Sequence, residues 1–379
     1  MTHSLAARLR RLWLDVHLWI GAGLLVVLAP LGLSGSFLVW HDPIDRALHA
    51  ERYAVTGDAQ LPMEAYATAA RTAFGHDAVL SQIRLPQKSG DPIVATGRIA
   101  GPAGPGGRPR TLNAWIDPPS ARVLGVDEVA RGFSMTVHRL HGTLLIPDVG
   151  RKVVGWLGWA MFVSCATGLW LWWPRHGGFL RALHWRRGAS QLFNLHHMLG
   201  FWICLPLAVL SLTGVIISFP QTADRLVGGT PPAPPAAGPA QRARNAPPLA
   251  YTVTTLPEAL ATAQAARPDA HVATVNWPQM GDRPAWRIEF KGKPPGAAAP
   301  VSVDDRSGKA RPARAGAGGP PQRSAFATWS RKIHDGTDLG LVWQTIIFLG
   351  GLAPTVLSVT GVVMWLRRRR RRRALAHPA

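Results

Sequence analysis

Cysteine and tyrosine are nearly missing from this sequence, with two and three copies in 379 residues. Cys165 and Cys204 both lie inside apolar runs and no CxxC pair occurs, which excludes a disulfide framework and a thiolate metal or redox motif. Both read as small buried hydrophobes. Carboxylates are also few: 21 Asp and Glu face 42 Lys and Arg, for a formal net charge of +21. Such an excess suits nucleic acid, but its densest block, RRRRRRR at 367–373, directly follows the apolar stretch LVWQTIIFLGGLAPTVLSVTGVVMWL. A basic block there marks membrane topology and anchors to lipid headgroups, so membrane lipids are the expected partner and nucleic acid is not. The first apolar run follows RLRRLWLDVH without a small-residue cleavage site, and reads as a retained span, not a signal peptide.

Long apolar runs are what the sequence does have. A mean hydropathy of +0.06 is too high for an ordinary soluble chain and too low for one wholly in lipid. Residues 18–40, 153–173, 198–219 and 341–366 are each long enough to cross ~30 Å of hydrocarbon. Basic residues (Arg8, Arg10, Arg11; Arg175, Arg181, Arg186, Arg187; Arg367 to Arg373) fall on one side if the chain crosses four times. The positive-inside rule then puts both termini in the cytoplasm, with Trp170, Trp172, Trp173 and Trp365 as an aromatic belt.

The expected layout begins with a cytoplasmic N-terminus and first span over 1–40, an exterior module over 41–137, and a second span with an exterior extension over 138–173. A cytoplasmic loop over 174–191 leads to a third span over 192–219 and a second exterior module over 220–333. A fourth span with its own extension over 334–366 and an Arg-rich cytoplasmic tail over 367–379 complete it. Each module reads as helix, then strands: LPMEAYATAARTAFG precedes AVLSQIRLP, PIVATGRI and TLNAWIDPPSARVLGV, and TLPEALATAQAARPDA precedes HVATVNWP, AWRIEFKG and PVSVDDRSGKA. The stretches 228–248 and 311–322 are Pro/Ala/Gly-rich connectors with no core-forming capacity.

The two halves read as copies. His17, Gly21 and Gly35, in DVHLWIG and LSG, match His196, Gly200 and Gly214, in NLHHMLG and LTG: 196−17, 200−21 and 214−35 all equal 179. WIDPPSA matches SVDDRSG, where 304−117 and 307−120 equal 187. His141 matches His334, and Thr167-Gly168 matches Thr360-Gly361, all at 193. This self-similarity selects His196 over its neighbour His197, and His141 over His138, whose counterpart is Arg331.

The four selected histidines form two pairs, His17 with His196 at the cytoplasmic span ends and His141 with His334 on the exterior side. A single histidine at a span end is more often a packing or interfacial residue, but recurrence on both faces argues for function, because ionisable groups in membranes are costly. Neutral imidazole is a good axial ligand for haem iron, and a site in a bundle takes one from each of two facing helices. Gly21 and Gly200, four residues on, share the histidines' helix face and leave room for a flat macrocycle. Two bis-histidine haem b groups would then carry electrons between the two faces. A porphyrin-free metal site is the rival; no carboxylate or thiolate stands near these histidines in sequence to complete four ligands. His138 and His197 stay open as alternative ligands or as donors to a ligand, and His41, His49, His176 and His184 stay unassigned. His141 and His334 are expected on helical extensions at or just beyond the exterior headgroups.

The order HLWIG…LSG, LHGTLL…GRKVVGWLG…TGLWLWWPR, NLHHMLG…LTG, IHDGT…TGVVMWLRRR resembles the PepSY-associated transmembrane family over nearly the whole chain. That family includes bacterial inner-membrane ferric-siderophore reductases. The resemblance implies an α-helical integral membrane protein: a four-span bundle built as an internal two-fold repeat, carrying two haems b, with two small α+β PepSY-like periplasmic modules. The carried-over haem ligands are His17, His196, His141 and His334. Members often have Arg directly after the first and third histidines, where this chain has Leu18 and His197. The implied activity is an oxidoreductase of the ferric-chelate type in the bacterial inner membrane. It would reduce a periplasmic ferric siderophore or other ferric chelate with electrons from a quinol or a cytoplasmic reductase. Arg108, Arg110, Arg131, Arg287 and Lys291 are candidates to attract an anionic chelate. Two alternatives stay open: a quinol-linked b-type cytochrome for another periplasmic acceptor, and a non-enzymatic PepSY membrane protein that binds or regulates a partner.

Overall fold

The structure, a computed structural model, describes residues 5–101, 109–174, 180, 183–185, 188, 190–226, 246–291, 299–312 and 324–376. Arg108, Arg175, His176, Arg181, Arg186, Arg187 and most of both connectors lie outside them. The helices are α1 (Leu5–Val39), α2 (His41–Leu48), α3 (Met63–Phe74), α4 (Phe133–Thr143), α5 (Gly150–Trp172), α6 (Gln191–Ser218), α7 (Pro220–Leu226), α8 (Leu256–Ala266), α9 (Ala325–Asp335) and α10 (Gly340–Ala376). The strands are β1 (Ala78–Arg84), β2 (Ile93–Ile99), β3 (Thr111–Ile116), β4 (Val123–Glu128), β5 (Val272–Asn276), β6 (Ala285–Phe290), β7 (Val301–Asp304) and β8 (Ala310–Pro312). The chain divides into two compact units, one of Met1–His41, Thr136–Pro231 and Arg323–Ala379, the other of Asp42–Met135 and Pro232–Gln322.

In the first unit α1, α5, α6 and α10 are each long and apolar enough to cross a membrane. The shortest candidate span, Gly150–Trp172, has 23 residues, about 35 Å at 1.5 Å per residue. Val26, Trp156, Trp202 and Leu205 stand out from the helices, exposed; hydrocarbon solvates such faces and water does not. The four helices pack as a ring, α1 and α6 each against both α5 and α10. Leu24, Leu28, Met161, Ile203 and Leu207 fill its centre together with Cys165 and Cys204, both buried and unbridged.

Small residues let these helices close on one another. A β-carbon on Gly351 of α10 would fall 2.5 Å from the Gly32 carbonyl oxygen of α1, and one on Gly158 of α5 would fall 3.2 Å from the Ser211 carbonyl oxygen of α6. Backbone approach of this kind is how lipid-embedded helices gain packing without a hydrophobic driving force. The two crossings occupy matched registers, since 211−32 is 179 and 351−158 is 193, the offsets already carried by the histidines.

The segments before the second and fourth spans are not extensions of those spans. α4 and α9 are separate helices, and the chain reverses after each through left-handed backbone: φ is 52° at Leu144, 59° at Leu145 and 58° at Asp148, and 78° at Gly336, 62° at Asp338 and 80° at Gly340. The reversal folds His141 and His334 back into the bundle. Their ring nitrogens reach the carbonyls of Leu31 and Leu210. Both carbonyls lie eight residues before their helix ends (39−31, 218−210), about 12 Å inside them along the axis. The His141–His334 pair therefore lies against the long helices about two turns inside their ends, not on continuous extensions of the second and fourth spans.

The second unit is an antiparallel sheet of eight strands in the order β4-β3-β2-β1-β5-β6-β7-β8. The two modules read from the sequence are thus joined edge to edge. β1 pairs with β5 through Gln82↔Asn276, Ile83↔Val275 and Arg84↔Thr274, with Gln82 Nε2 donating to Asn276 Oδ1 at 2.8 Å. Pairing removes an exposed edge from each module. The apolar alternation of the strands turns Ile83, Ile93, Val275, Trp286 and Ile288 to one face, which α3 and α8 cover with Tyr66, Phe74 and Leu256. One core serves both halves.

The aspartates of the two matched turns divide their work unequally. Asp117 is fully buried and accepts from Thr56 N at 2.8 Å, Thr56 Oγ1 at 2.7 Å and Ser120 Oγ. In the second half Asp304 takes the turn's Ser307, while Asp305 takes the backbone of Val253 and Thr254. Burial alone would raise the Asp117 carboxyl, but its hydrogen bonds from Ser120 and Thr56 outweigh this and hold it below the usual carboxylate range. Asp117→Ala leaves the Thr56 donors unsatisfied and is expected to cost about 1–3 kcal/mol, read as a lowered thermal midpoint of the sheet unit in the full chain. Because the folded pKa is depressed, Asp117's contribution is complete above the unfolded carboxylate pKa and disappears as pH falls through the folded value. The gap between the parent and the Ala variant should therefore narrow at strongly acid pH.

Candidate functional site

Among the described residues the structure brings four of the predicted histidines into two pairs. The rings of His17 and His196 lie 6.4 Å apart between centroids, with planes at 90°. Those of His141 and His334 lie 6.0 Å apart, with planes at 43°. Each pair takes one ring from each half of the chain.

Every ring rests in a seat made by one Ser/Thr-Gly pair on a neighbouring helix. His17 of α1 sits on Thr167-Gly168 of α5, and His141 of α4 sits on Ser34-Gly35 of α1. His196 of α6 sits on Thr360-Gly361 of α10, and His334 of α9 sits on Thr213-Gly214 of α6. The hydroxyls meet Nδ1 at 3.1, 3.3, 2.8 and 3.0 Å respectively. Three of the Nδ1 atoms also meet the carbonyl three residues before the hydroxyl: Ser164 at 3.1 Å, Leu31 at 2.9 Å and Leu210 at 3.0 Å.

These contacts fix the tautomer. A carbonyl oxygen only accepts, so Nδ1 carries the proton wherever it meets one. Each seat hydroxyl has already committed its own proton to its helix: Ser34 to Leu31 O at 2.9 Å, Thr167 to Val163 O at 2.9 Å, Thr213 to Val209 O at 2.8 Å, Thr360 to Val356 O at 2.8 Å. It can therefore only accept from the imidazole, His196 included. Nε2 of each ring is left as the bare lone pair, the arrangement that prepares a histidine for a metal.

The glycines supply the space. A β-carbon at Gly35 would stand 2.8 Å from His141 Cε1, at Gly168 3.0 Å from His17 Cε1, at Gly214 3.2 Å from His334 Cε1, and at Gly361 3.4 Å from His196 Cε1. Sequence reasoning used these pairs only as markers of the repeat. The signal for their role was a hydroxyl followed by glycine at each matched position.

Around His17 and His196 lies a cavity of about 1100 Å³ that both histidines line, together with Gly21, Gly200, Leu24 and Leu207. A β-carbon on Gly21 would meet nothing within 4 Å, and one on Gly200 only Leu357 Cδ2 at 3.7 Å. His197 lines the same cavity, but its Nδ1 turns back to Phe193 O at 3.1 Å and its ring lies 3.8 Å from the Phe193 ring. His138 is exposed on α4, one turn before His141. The His197 ring also stands 6.2 Å from that of His196, its neighbour on the same helix, but neither His138 nor His197 rests on a Ser/Thr-Gly seat of another helix in the contacts described. His41 Nδ1 lies 2.6 Å from Leu38 O, and His49 lies beside Asp45 and Glu51. Three of the arginines read as anion attractors sit in ion pairs, Arg110 and Arg131 with Glu128 and Arg287 with Glu289.

The donor set can be tested against a haem. Two imidazoles bound to one metal at about 2.0–2.1 Å each stand with centroids about 6 Å apart, which both pairs satisfy. Among the described residues no three His, Cys, Asp or Glu gather into a metal-binding group. Two protein nitrogens leave the remaining donors to the bound group itself, as a tetrapyrrole provides. The residues fit.

A family model described as the PepSY-associated TM region matches residues 14–368. No curated protein matches the chain.

The seats predict unequal costs for one methyl group. Gly35→Ala presses on the His141 ring at 2.8 Å and Gly361→Ala only touches the His196 ring at 3.4 Å. The first is expected to destabilise the bundle by about 1–3 kcal/mol, as overpacking does, and the second by under about 1 kcal/mol. Thermal unfolding of the two variants in detergent measures the difference.

Proposed function

The chain belongs to the PepSY-associated TM family, and on that footing we propose that it is a di-haem electron-transfer protein of the bacterial inner membrane that reduces ferric chelates, ferric siderophores foremost, on the periplasmic side. The observation that carries this reading is the pair of neighbouring imidazoles, each with Nδ1–H held and Nε2 bare, repeated at two levels of the bundle. Along α1 the Leu31 contact of His141 lies fourteen residues beyond His17 (31−17), and along α6 the Leu210 contact of His334 lies fourteen beyond His196 (210−196). That separates the two sites by about 21 Å of helix. The matched offsets support reading the halves as copies of one ancestral unit. The basic N-terminal residues, the Arg-rich end of α10 and the arginines between the second and third spans support cytoplasmic termini and periplasmic modules.

His17 with His196, and His141 with His334, would hold haem b. Bound there, that group supplies a one-electron iron couple at each depth. The chain's own residues do the rest. The Ser/Thr hydroxyls and helix carbonyls lock the imidazole tautomers, Gly21 and Gly200 keep the cavity wall open, and the apolar bundle core excludes water. No side chain acts as acid, base or nucleophile; the protein's task is positioning and tuning. Each ferric ion takes one electron, supplied from the cytoplasmic side by a quinol or a reductase. Hard oxygen ligands that suit Fe(III) hold Fe(II) far less tightly, so reduction releases the metal and leaves the chelator intact.

The purified protein is expected to carry two haems per chain by the pyridine haemochrome assay. His17→Ala or His196→Ala should lose one, His141→Ala or His334→Ala the other, and His138→Ala and His197→Ala should keep both. Membranes holding the parent chain should reduce ferric chelates, and membranes holding any of the four ligand variants should not. A colourless parent preparation would end this reading.

A further inference from the structure

One face of α1 carries a graded stripe. Arg10, Leu14, His17, Gly21, Leu24 and Leu28 follow one another at steps of four or three residues, and all six line the cavity around the His17–His196 pair. α10 carries the counterpart: Gly361, which seats His196, is followed by Trp365 and then Arg368 and Arg369, all in the same wall. The cavity therefore has a cationic mouth, an imidazole waist and an apolar floor. Arg11 joins the mouth, where among the described residues Asp15 is the one carboxylate lining it against four guanidiniums. Arg10 Nη2 donates to the carbonyl of Leu171 near the end of α5 at 3.4 Å, and Arg369 lies over the Trp365 ring at 5.4 Å.

We infer that this mouth is a carboxylate-binding site: Arg10, Arg11, Arg368 and Arg369 receive the two carboxylates of an amphiphilic ligand whose apolar body lies between His17 and His196. Resting on the haem reading above, this assigns the propionate edge of the inner haem to the Arg end of the cavity and its vinyl edge to Leu24, Leu28 and Leu207. Guanidinium pairs carboxylate in two parallel hydrogen bonds, and an arginine cluster compensates two carboxylates that would otherwise lie against apolar helix ends. The basic tail thereby has two parts. Arg368 and Arg369 line the cavity; Arg370 and Arg373, on the same helix, do not. The second group serves as an internal control for bulk charge.

The test is a spectroelectrochemical titration of the full chain in phosphatidylcholine nanodiscs, which hold no anionic headgroups. Arg10→Gln with Arg369→Gln removes two positive charges beside the inner site and should favour its oxidised form about tenfold, or about 59 mV downward for a one-electron couple. Only one of the two haem components should move, with the bis-histidine spectrum unchanged. Arg10→Lys with Arg369→Lys should recover most of the shift, and Arg370→Gln with Arg373→Gln should produce none. Haem dimethyl ester, which has no carboxylates, should bind the parent and the Gln variant with equal affinity, whereas haem should bind the parent more tightly. An intact two-haem spectrum with no shift, an equal shift in the control variant, or a shift that appears only with phosphatidylglycerol would overturn the inference and leave the haem reading standing. A protein without haem would overturn both.

Discussion

The membrane unit depends on one hydrogen-bond arrangement used four times. A Ser or Thr hydroxyl inside a helix gives its proton to the carbonyl one turn back, as such residues do in apolar surroundings, and so becomes purely an acceptor toward its neighbour. The imidazole that meets it must present Nδ1–H, and Nε2 is then the only lone pair it can offer. A buried polar ring without such a partner would cost more than the seat does. The adjacent glycine matters too, most at Gly35 and Gly168, where a β-carbon would stand 2.8 and 3.0 Å from the ring and push it off the helix.

The seats also tie the bundle together. Within each half the two long segments exchange histidines: α1 gives His17 to α5 and receives His141 from the segment before α5, while α6 gives His196 to α10 and receives His334 from the segment before α10. Between halves the helices meet through small residues, Gly32 with Gly351 and Gly158 with Ser211. Polar exchange thus secures each half and close backbone approach joins the halves, while the paired rings lie across that junction. A metal bound by either pair would cross-link the two halves.

The soluble unit follows a different logic. Its sheet closes over one apolar core because β1 and β5 share an edge that would otherwise be open. The charged side chains that seemed suited to draw in an anion are largely spent on each other, Arg110 and Arg131 on Glu128 and Arg287 on Glu289. These pairs are partly buried, and they cancel charge locally. The cationic character that stays concentrated is at the end of α10.

The sequence by itself determined the four apolar helices, the helix-then-strand order of the modules and the four histidines. Each of these is written in a local period, in a run long enough to span hydrocarbon, or in an offset that recurs. Tertiary structure decided what those signals cannot encode. It decided that α4 and α9 fold back rather than extend, because three left-handed residues in each connection set the direction of the chain. It decided that the two modules form one sheet, because edge pairing joins strands that lie far apart in sequence. Finally, it decided which nitrogen of each imidazole is bare, because that depends on a hydroxyl and a carbonyl contributed by another helix, more than a hundred residues away by the separations of 147, 110, 164 and 124.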